Sequence, residues 1–391
     1  MESNRFIERV LFFNRKVLGV IPSPIKNFIK SRVPYAEYRS EQLRREAEQR
    51  LSGPIPDESD YCSPYDVLIG IFSDSSFTYT YNIAACRELK VHFKVIDIMA
   101  SDWLPRITVS GCQAFMATPD TLLNIWHRAY EERLWVLTND LKMPICPSFN
   151  ELYLWESKRR MRDWLNAHNI PHPRTWVFFD RSEALKFCDE ANYPLVCKID
   201  SGAASSGIFL LRDRQSAKQI VRDAFGRGIL ARSADSRQRE YGTILLQEYV
   251  PHEFEWRIVR IGDSYMCRKK VRAGDYASGS GVIGWASPLP GMLDFVKKVT
   301  DTGCFTNMTV DLFENPFSKS GPKFLVNELQ AIVGFRDVPE TNHTGRWFVT
   351  PDNASWRFDH GNFHSNACAN LRVKNLLQKL NIQLNTTESI K

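Results

Sequence analysis

The spacing of hydrophobic and polar positions changes several times along the 391 residues, and these changes divide the chain. Asp66-Val67-Leu68-Ile69-Gly70-Ile71-Phe72 is a short apolar run closed by a Ser/Thr-rich turn, the pattern of a buried strand. A helix over about 79–89 and a second strand over 92–98 follow, so this region opens as a βαβ unit. Residues 113–117, a helix from Thr121, a strand near 134–138 and residues 143–148 extend it into a small parallel α/β domain. Such a domain binds ligands at the carboxyl ends of its strands, which makes Ser73, Asp74, Ser75 and Ser76 candidate substrate contacts. The same residue types serve equally as the cap of the following helix.

After Phe149-Asn150-Glu151, a helix carrying Lys158, Arg159, Arg160 and Arg162 ends before Ile170-Pro171-His172-Pro173. Strands are predicted over 176–179, 195–200 and 208–212, with helices over 182–191 and 215–225. Residues 244–272 read mostly as strands, with a hairpin turn at Gly262-Asp263. A helix over 293–301 leads into Val310-Asp311-Leu312-Phe313 and then Phe324-Leu325-Val326-Asn327-Glu328-Leu329-Gln330. From about Thr350 the chain is Asn-rich and weakly patterned, with a helix near 369–380 and a frayed end. Five units result: a basic helical extension and linker over 1–56, an α/β domain over 57–150, two lobes over 151–247 and 248–349, and a C-terminal segment over 350–391.

Composition narrows the class of protein without naming a reaction. With 43% hydrophobic and 25% charged residues, the chain is an ordinary globular protein of two or three domains. Its net charge of +6 is modest and spread out, so nucleic acid is not an expected partner, while small polyanions such as nucleotides are compatible. Nine cysteines lie without any CxxC pairing, which points to reduced thiols and a cytoplasmic setting. No run of about 18 apolar residues marks a membrane span. Residues 1–35 interleave basic and apolar positions as two amphipathic helices broken at Pro22 and Pro24. Docking on the protein's own surface is the first reading of these helices, and peripheral membrane contact is the alternative.

Candidate chemistry concentrates in the second half. On a strand over 324–330, alternation sends Glu328 and Gln330 to one face and Asn327 and Leu329 to the other; Asn327 joins its neighbours only if the strand is irregular. With Asp311 from a neighbouring strand, these oxygens suit Mg²⁺, or Mn²⁺ in its place, bridging nucleotide phosphates. Upstream, Lys198 ends a buried strand and Ser201-Gly202-Ala203-Ala204-Ser205-Ser206-Gly207 follows. Small residues let backbone N–H groups approach phosphate, yet this loop runs between two strands and is neither a P-loop nor a dinucleotide fingerprint. Leu245-Leu246-Gln247-Glu248-Tyr249-Val250-Pro251 is a strand stopped by proline that offers its backbone edge to a purine. Residues 253–260 alternate strictly, which puts Glu253, Glu255 and Arg257 on a wet face. Of the basic strand Arg268-Lys269-Lys270, a functional member is one that faces Glu255 and Arg257. Residues 273–281 read as a substrate loop, and Arg336 as an anchor for a substrate carboxylate.

In this order, over roughly residues 149–335, the motifs resemble the ATP-grasp superfamily of carboxylate-amine ligases. The resemblance implies an N-terminal parallel α/β domain followed by a two-lobed ATP-grasp fold with antiparallel sheets, α/β and α+β in class. It implies ATP and Mg²⁺ as cofactors and small-molecule carboxylate and amine substrates. Lys158 and Lys198 then match the nucleotide-phosphate lysines, and Gly202, Ser205, Ser206 and Gly207 the flexible phosphate loop. Gln247, Glu248, Tyr249 and Val250 match the adenine hinge, and Glu255 the ribose-contacting acid. Arg257 matches the family's arginine and is a candidate catalytic cation, joined by Lys270 from the basic strand; Asp311, Glu328 and Gln330 are the implied metal ligands, glutamine standing where the family has asparagine. The implied reaction forms an amide through an acylphosphate and releases ADP and phosphate, with an amino acid, peptide or amino sugar as acceptor; the basic helices of residues 1–35 point to work near a membrane, for example on a cell-surface polysaccharide precursor. A phosphotransferase on the same fold and a catalytically weak nucleotide-binding regulator are the rival readings.

Overall fold

A computed structural model of the chain describes residues 35–200, 207–231, 235–272, 283–316, 318, 321–332, 344–350, 355–363 and 365–382. The amphipathic segment 1–34, the loop residues 201–206, residues 273–281 and Arg336 lie outside them.

A helix, α1 (Tyr35–Arg50), precedes the first domain. There β1 (Leu68–Phe72), β2 (His92–Ile96), β3 (Ala114–Met116) and β4 (Ile145–Cys146) form a parallel sheet in the order β2-β1-β3-β4. Gly70 makes that sheet possible at its centre, because a Cβ there would fall 2.2 Å from Phe115 Cδ1. Phe72 stacks on Phe115 with ring centroids 4.8 Å apart. Helices α2 (Thr80–Leu89), α3 (Trp103–Thr108) and α4 (Asn124–Trp135) cover the sheet. The strand predicted over 134–138 is not present: α4 continues as a π turn, Val136–Asp140. Leu134 and Leu137 are both fully buried, and a spacing of three residues turns both to one side of a helix. A short apolar run carries no period that separates the two cases.

Two helices, α5 (Phe149–Leu154) and α6 (Lys158–Ala167), connect to the rest. The α5 start is a capping box between Ser148 and Glu151, and the Glu151 carboxylate also accepts the Asn307 N–H at 2.6 Å, which fastens the connection to the far lobe. Lobe 1 is an antiparallel sheet of β5 (Thr175–Phe178), β6 (Leu195–Lys198), β7 (Ile208–Leu211) and β8 (Ile244–Glu248) in the order β5-β8-β6-β7. Its outer face carries α7 (Arg181–Glu190) and α8 (Arg214–Phe225), whose Ala184, Cys188, Ala217 and Val221 join the core.

Lobe 2 is a larger sheet built on the hairpin β9 (Phe254–Ile261) and β10 (Ser264–Val271), with β11 (Ile283–Trp285) beside β10. On the other side of β9 lie β12 (Asn307–Glu314) and β13 (Phe324–Gln330), and α9 (Met292–Thr302) packs on the sheet through Val296 and Val299. The weakly patterned C-terminal stretch holds more structure than expected. A hairpin of β14 (Gly345–Val349) and β15 (Trp356–His360) extends the sheet, and α10 (Ser365–Lys379) begins before the predicted 369. Each of these strands is five residues long, too short for its alternation to stand out from a polar background. Helix α10 returns to the first domain, where Val373, Leu376 and Leu377 close the core against Ile83 and Phe93.

Candidate active site

The facing surfaces of the two lobes meet around Lys198, the last residue of β6. Its Nζ donates to Asn327 Oδ1 at 2.8 Å, and Asn327 Nδ2 donates to Glu255 Oε2 at 3.1 Å. Strict alternation along β13 turns Asn327 away; the register shows why it does not. Asp311 of β12 pairs with Glu328 while Leu312 pairs with Val326, so Asn327 is an extra residue, a β-bulge that re-aims its side chain into the site. Lys158, at the start of α6, lies 3.7 Å from Glu328 and donates to the Asp200 carbonyl at 3.4 Å.

Across the sheet, Arg257 of β9 stands opposite Asp311. Its Nε and Nη2 donate to the two Asp311 oxygens, each at 2.7 Å, and Nη2 also donates to Gln330 Oε1 at 3.1 Å. Lys270 is the member of the basic strand that faces this group: it pairs with Glu255 and donates to Asp311 Oδ2 at 2.7 Å. Glu255 is 4% exposed and Asp311 fully buried, so the predicted wet face of β9 is instead an interior surface, closed by lobe 1 through Lys198. The same alternation marks a solvated face and a covered one, and only the packing of a second sheet separates them.

Burial sets the electrostatics. It pushes Lys198 down to about 8 against the pull of nearby carboxylates, Glu328 the strongest, and it pushes Glu255 up despite Lys270. Burial also opposes ionisation of Asp311, but the charges of Arg257 and Lys270 overcome it and hold the carboxyl below the usual range. Four cations, Lys158, Lys198, Arg257 and Lys270, thus face three carboxylates, Glu255, Asp311 and Glu328. Desolvating so many charges is unfavourable for stability alone, and such clusters mark functional sites. A surplus of positive charge suits a polyanion.

The hinge residues flank this cluster where β8 leaves lobe 1. Gln247 Nε2 donates to Thr175 Oγ1 at 2.9 Å, Glu248 accepts from Arg174 Nε at 2.7 Å, the Tyr249 hydroxyl accepts from Arg272 at 2.8 Å, and Val250 packs on Phe313 and Leu325. Lys158, Lys198, Gln247, Val326 and Asn327 line a cleft of about 10 Å³ between the sheets. Of the phosphate loop only Gly207 is described; its carbonyl accepts the Ile199 N–H at 2.9 Å, while Gly202, Ser205 and Ser206 lie outside the described residues.

A second, larger space opens at the carboxyl ends of β1 and β3. This cavity of about 770 Å³ is lined by Ser76, Thr118, Asp120, His127 and Arg159, and it reaches the ion cluster at Gln330. Among residues 73–76, Ser76 lines it. Asp74 instead points inward, accepting the N–H groups of Ser76 at 2.8 Å and Tyr79 at 3.2 Å and the Thr118 hydroxyl at 2.8 Å, and its burial raises its carboxyl to about 6. These contacts fold residues 74–79 into a turn ahead of α2, whose own N-cap, Tyr79, carries no side-chain cap, so Asp74 neither lines the cavity nor caps the helix. The wall residues Thr118, Asp120 and His127 escaped sequence reading because they share no motif and converge with Arg159 and Gln330 only in the fold.

Among the described residues, no cluster of three or more His, Cys, Asp or Glu side chains is arranged to hold a metal ion. Asp311 and Glu328 nevertheless stand opposite each other, with the Asn327 and Gln330 amides beside them, an all-oxygen set. Oxygen donors of this kind suit Mg²⁺, which takes few protein ligands. As placed, however, Arg257 and Lys270 hold both Asp311 oxygens, Arg257 the Gln330 amide oxygen and Lys198 that of Asn327, so a bound ion would displace these cations.

No protein-family profile matches the chain. It is 22% identical over 152 residues to a phosphoribosylamine–glycine ligase of Fusobacterium nucleatum, covering 37% of this chain and 34% of that protein. The enzyme of the same name from Yersinia pestis is 30% identical over 151 residues, 36% of this chain and 33% of that protein. The match thus spans about a third of the length of these curated relatives. Among solved structures, the ADP complex of an N5-carboxyaminoimidazole ribonucleotide synthetase matches with a TM-score of 0.52 and 14% identity, over 85% of this chain and 81% of that one. D-cycloserine synthetase DcsG matches with a TM-score of 0.52 and 15% identity, over 80% of this chain and 99% of that one. The order of domains and the pairing of two antiparallel lobes are those of the ATP-grasp fold.

Proposed function

We propose that this ATP-grasp chain is an ATP-dependent ligase that joins a carboxylate to an amine through an acylphosphate, releasing ADP and phosphate. The observation that carries the reading is the meeting of Lys158 and Lys198 with Arg257, Lys270, Asp311 and Glu328 beside a cavity of about 770 Å³. The sequence similarity to phosphoribosylamine–glycine ligases and the fold shared with ribonucleotide and D-cycloserine synthetases support the same class.

In this reading Lys158 and Lys198 hold the triphosphate, with Gly202, Ser205, Ser206 and Gly207 over it, and residues 247–250 take the adenine. Asp311, Glu328 and the Gln330 amide would hold Mg²⁺, which when bound neutralises phosphate charge. Glu255 reaches the ribose only when Lys270 and Asn327 release it; as placed, it orients Lys270. A carboxylate attacking the γ-phosphorus must overcome anion repulsion, and Arg257 and Lys270 supply fixed positive charge where the transferring group passes. The carboxylate oxygen forms a bond to phosphorus as the bond to ADP breaks. The amine nitrogen then attacks the acyl carbon, phosphate leaves with its electron pair, and the amine proton passes to solvent. The cavity holds the acyl and amine substrates beside Gln330.

The test is ADP release by the purified chain with ATP and Mg²⁺ against pooled carboxylates and pooled amines, including amino acids, peptides and amino sugars, with the amide identified by mass spectrometry. ADP release that requires both pools supports the ligase. A phosphorylated alcohol identifies a phosphotransferase, and nucleotide binding without ADP release in any pool identifies a regulator. Glu328→Ala is expected to lower kcat by roughly 10²–10³-fold with the melting temperature retained; undiminished turnover overturns the metal assignment.

A further inference from the structure

Residues 235–240 of lobe 1 form a junction that the proposed reaction leaves unused. Glu240 accepts the Asp200 N–H at 2.9 Å and pairs with Arg159, which also meets Asp200 at 2.8 Å. Asp200 lies two residues beyond Lys198, and its carbonyl accepts from Lys158, so this end of the junction is bonded to one candidate phosphate lysine and adjoins the other in sequence. At the other end, Arg237 donates to both oxygens of Glu37 in α1 at 2.8 and 2.6 Å and to Asp235 at 2.9 Å, while Asp235 accepts the Ala36 N–H at 3.2 Å. Between them, Gln238 donates to the Leu122 carbonyl in the loop that enters α4.

The far end of α1 is fixed separately. Arg50 donates to Thr80 Oγ1 and stacks over the Tyr81 ring at 3.8 Å. Between these ends, Leu43, Glu46 and Arg50 line the cavity. Only Ala36 and Ala47 of the helix's 16 residues are buried, so no large apolar side chain anchors it. A helix seated this way depends on the polar contacts at its ends, foremost the two-pronged Arg237–Glu37 pair.

We propose that α1 is an adjustable wall of the substrate cavity and Arg237 its positioning residue, so that nucleotide at Lys158 and Lys198 changes the placement of Glu46 and Arg50. This rests on the nucleotide reading of the site. A phosphate drawing Lys158 Nζ from the Asp200 carbonyl disturbs the Asp200–Arg159–Glu240 set, and the short segment from Glu240 to Arg237 carries the shift to α1. The contacts form one unbroken physical path, and a weakly seated element is moved by a small difference in interaction. Glu46 and Arg50 thereby bear on substrate choice after nucleotide has bound.

Hydrogen–deuterium exchange on the full chain, with and without AMP-PNP and Mg²⁺, tests the coupling, while a thermal shift reports nucleotide binding independently. In the wild type, nucleotide is expected to raise the melting temperature and slow exchange in α1 by at least about fivefold. Arg237→Ala keeps the thermal shift and loses the α1 response; Arg237→Lys restores part of it, since lysine keeps the charge but not the two-pronged contact. A thermal shift with α1 unchanged, or an Arg237→Ala variant that responds as the wild type does, overturns the coupling alone. With no thermal shift, the nucleotide reading itself fails and the coupling falls with it.

Discussion

Asp311 keeps its charge in full burial because two cations meet it, Arg257 through both carboxylate oxygens and Lys270 through one. Asp311→Asn leaves those cations short of a counter-charge in the interior, and a loss of roughly 3–5 kcal/mol is expected in urea unfolding at neutral pH. Because the folded carboxyl is held below its ordinary 3.8, its stabilisation is present above that value and fades as pH falls through the lower, folded one. Asp74 has the opposite sign. Burial raises its carboxyl from 3.8 to about 6, so its contribution is full at the acid end and is lost as pH rises through about 6. Unfolding midpoints measured across that window are expected to show this fall in the wild type and not in Asp74→Asn. Both residues were visible as candidates in the sequence. Their charge states were not, because a carboxylate's ionisation depends on what surrounds it, and Asp74 is buried among backbone N–H groups while Asp311 is surrounded by cations.

Among the elements, β13 shows how one extra residue alters a site. Its period of two was legible and predicted Glu328 and Gln330 on one face; the bulge that adds Asn327 to the site leaves no mark in that pattern. Asn327→Ala removes the partner of Lys198 and one contact of Glu255, and a roughly tenfold loss in kcat/KM for ATP is expected, in line with a hydrogen bond to a charged group. A variant that matches the wild type would show that Asn327 only fills space. The strand pattern from Phe254 onward is correct, and Glu253, just ahead of β9, is exposed as expected, but Glu255 and Arg257 face inward, since period alone does not say whether a second sheet lies on top. The 134–138 segment failed differently: its apolar residues satisfy a helical face and a short buried strand alike.

At the scale of the whole molecule, chain ends far apart in sequence share one core. Helix α10 completes the first domain through Val373, Leu376 and Leu377, each fully buried. Leu376→Ala is expected to lower stability by about 2–5 kcal/mol, read from urea denaturation, as for other large-to-small changes in a packed core. The large cavity is likewise a product of assembly: Ser76, Asp120, His127, Arg159 and Gln330 come from separate segments and meet only when both lobes and the first domain close together. The sequence by itself determined the strands and helices with a clear period and the run of residue types on which the ATP-grasp resemblance rests, because these depend on local spacing. Tertiary structure alone decided which charges pair, that β9 faces inward, that Asn327 enters the site and that α1 walls the cavity. Each of those depends on contacts between segments that no local pattern records.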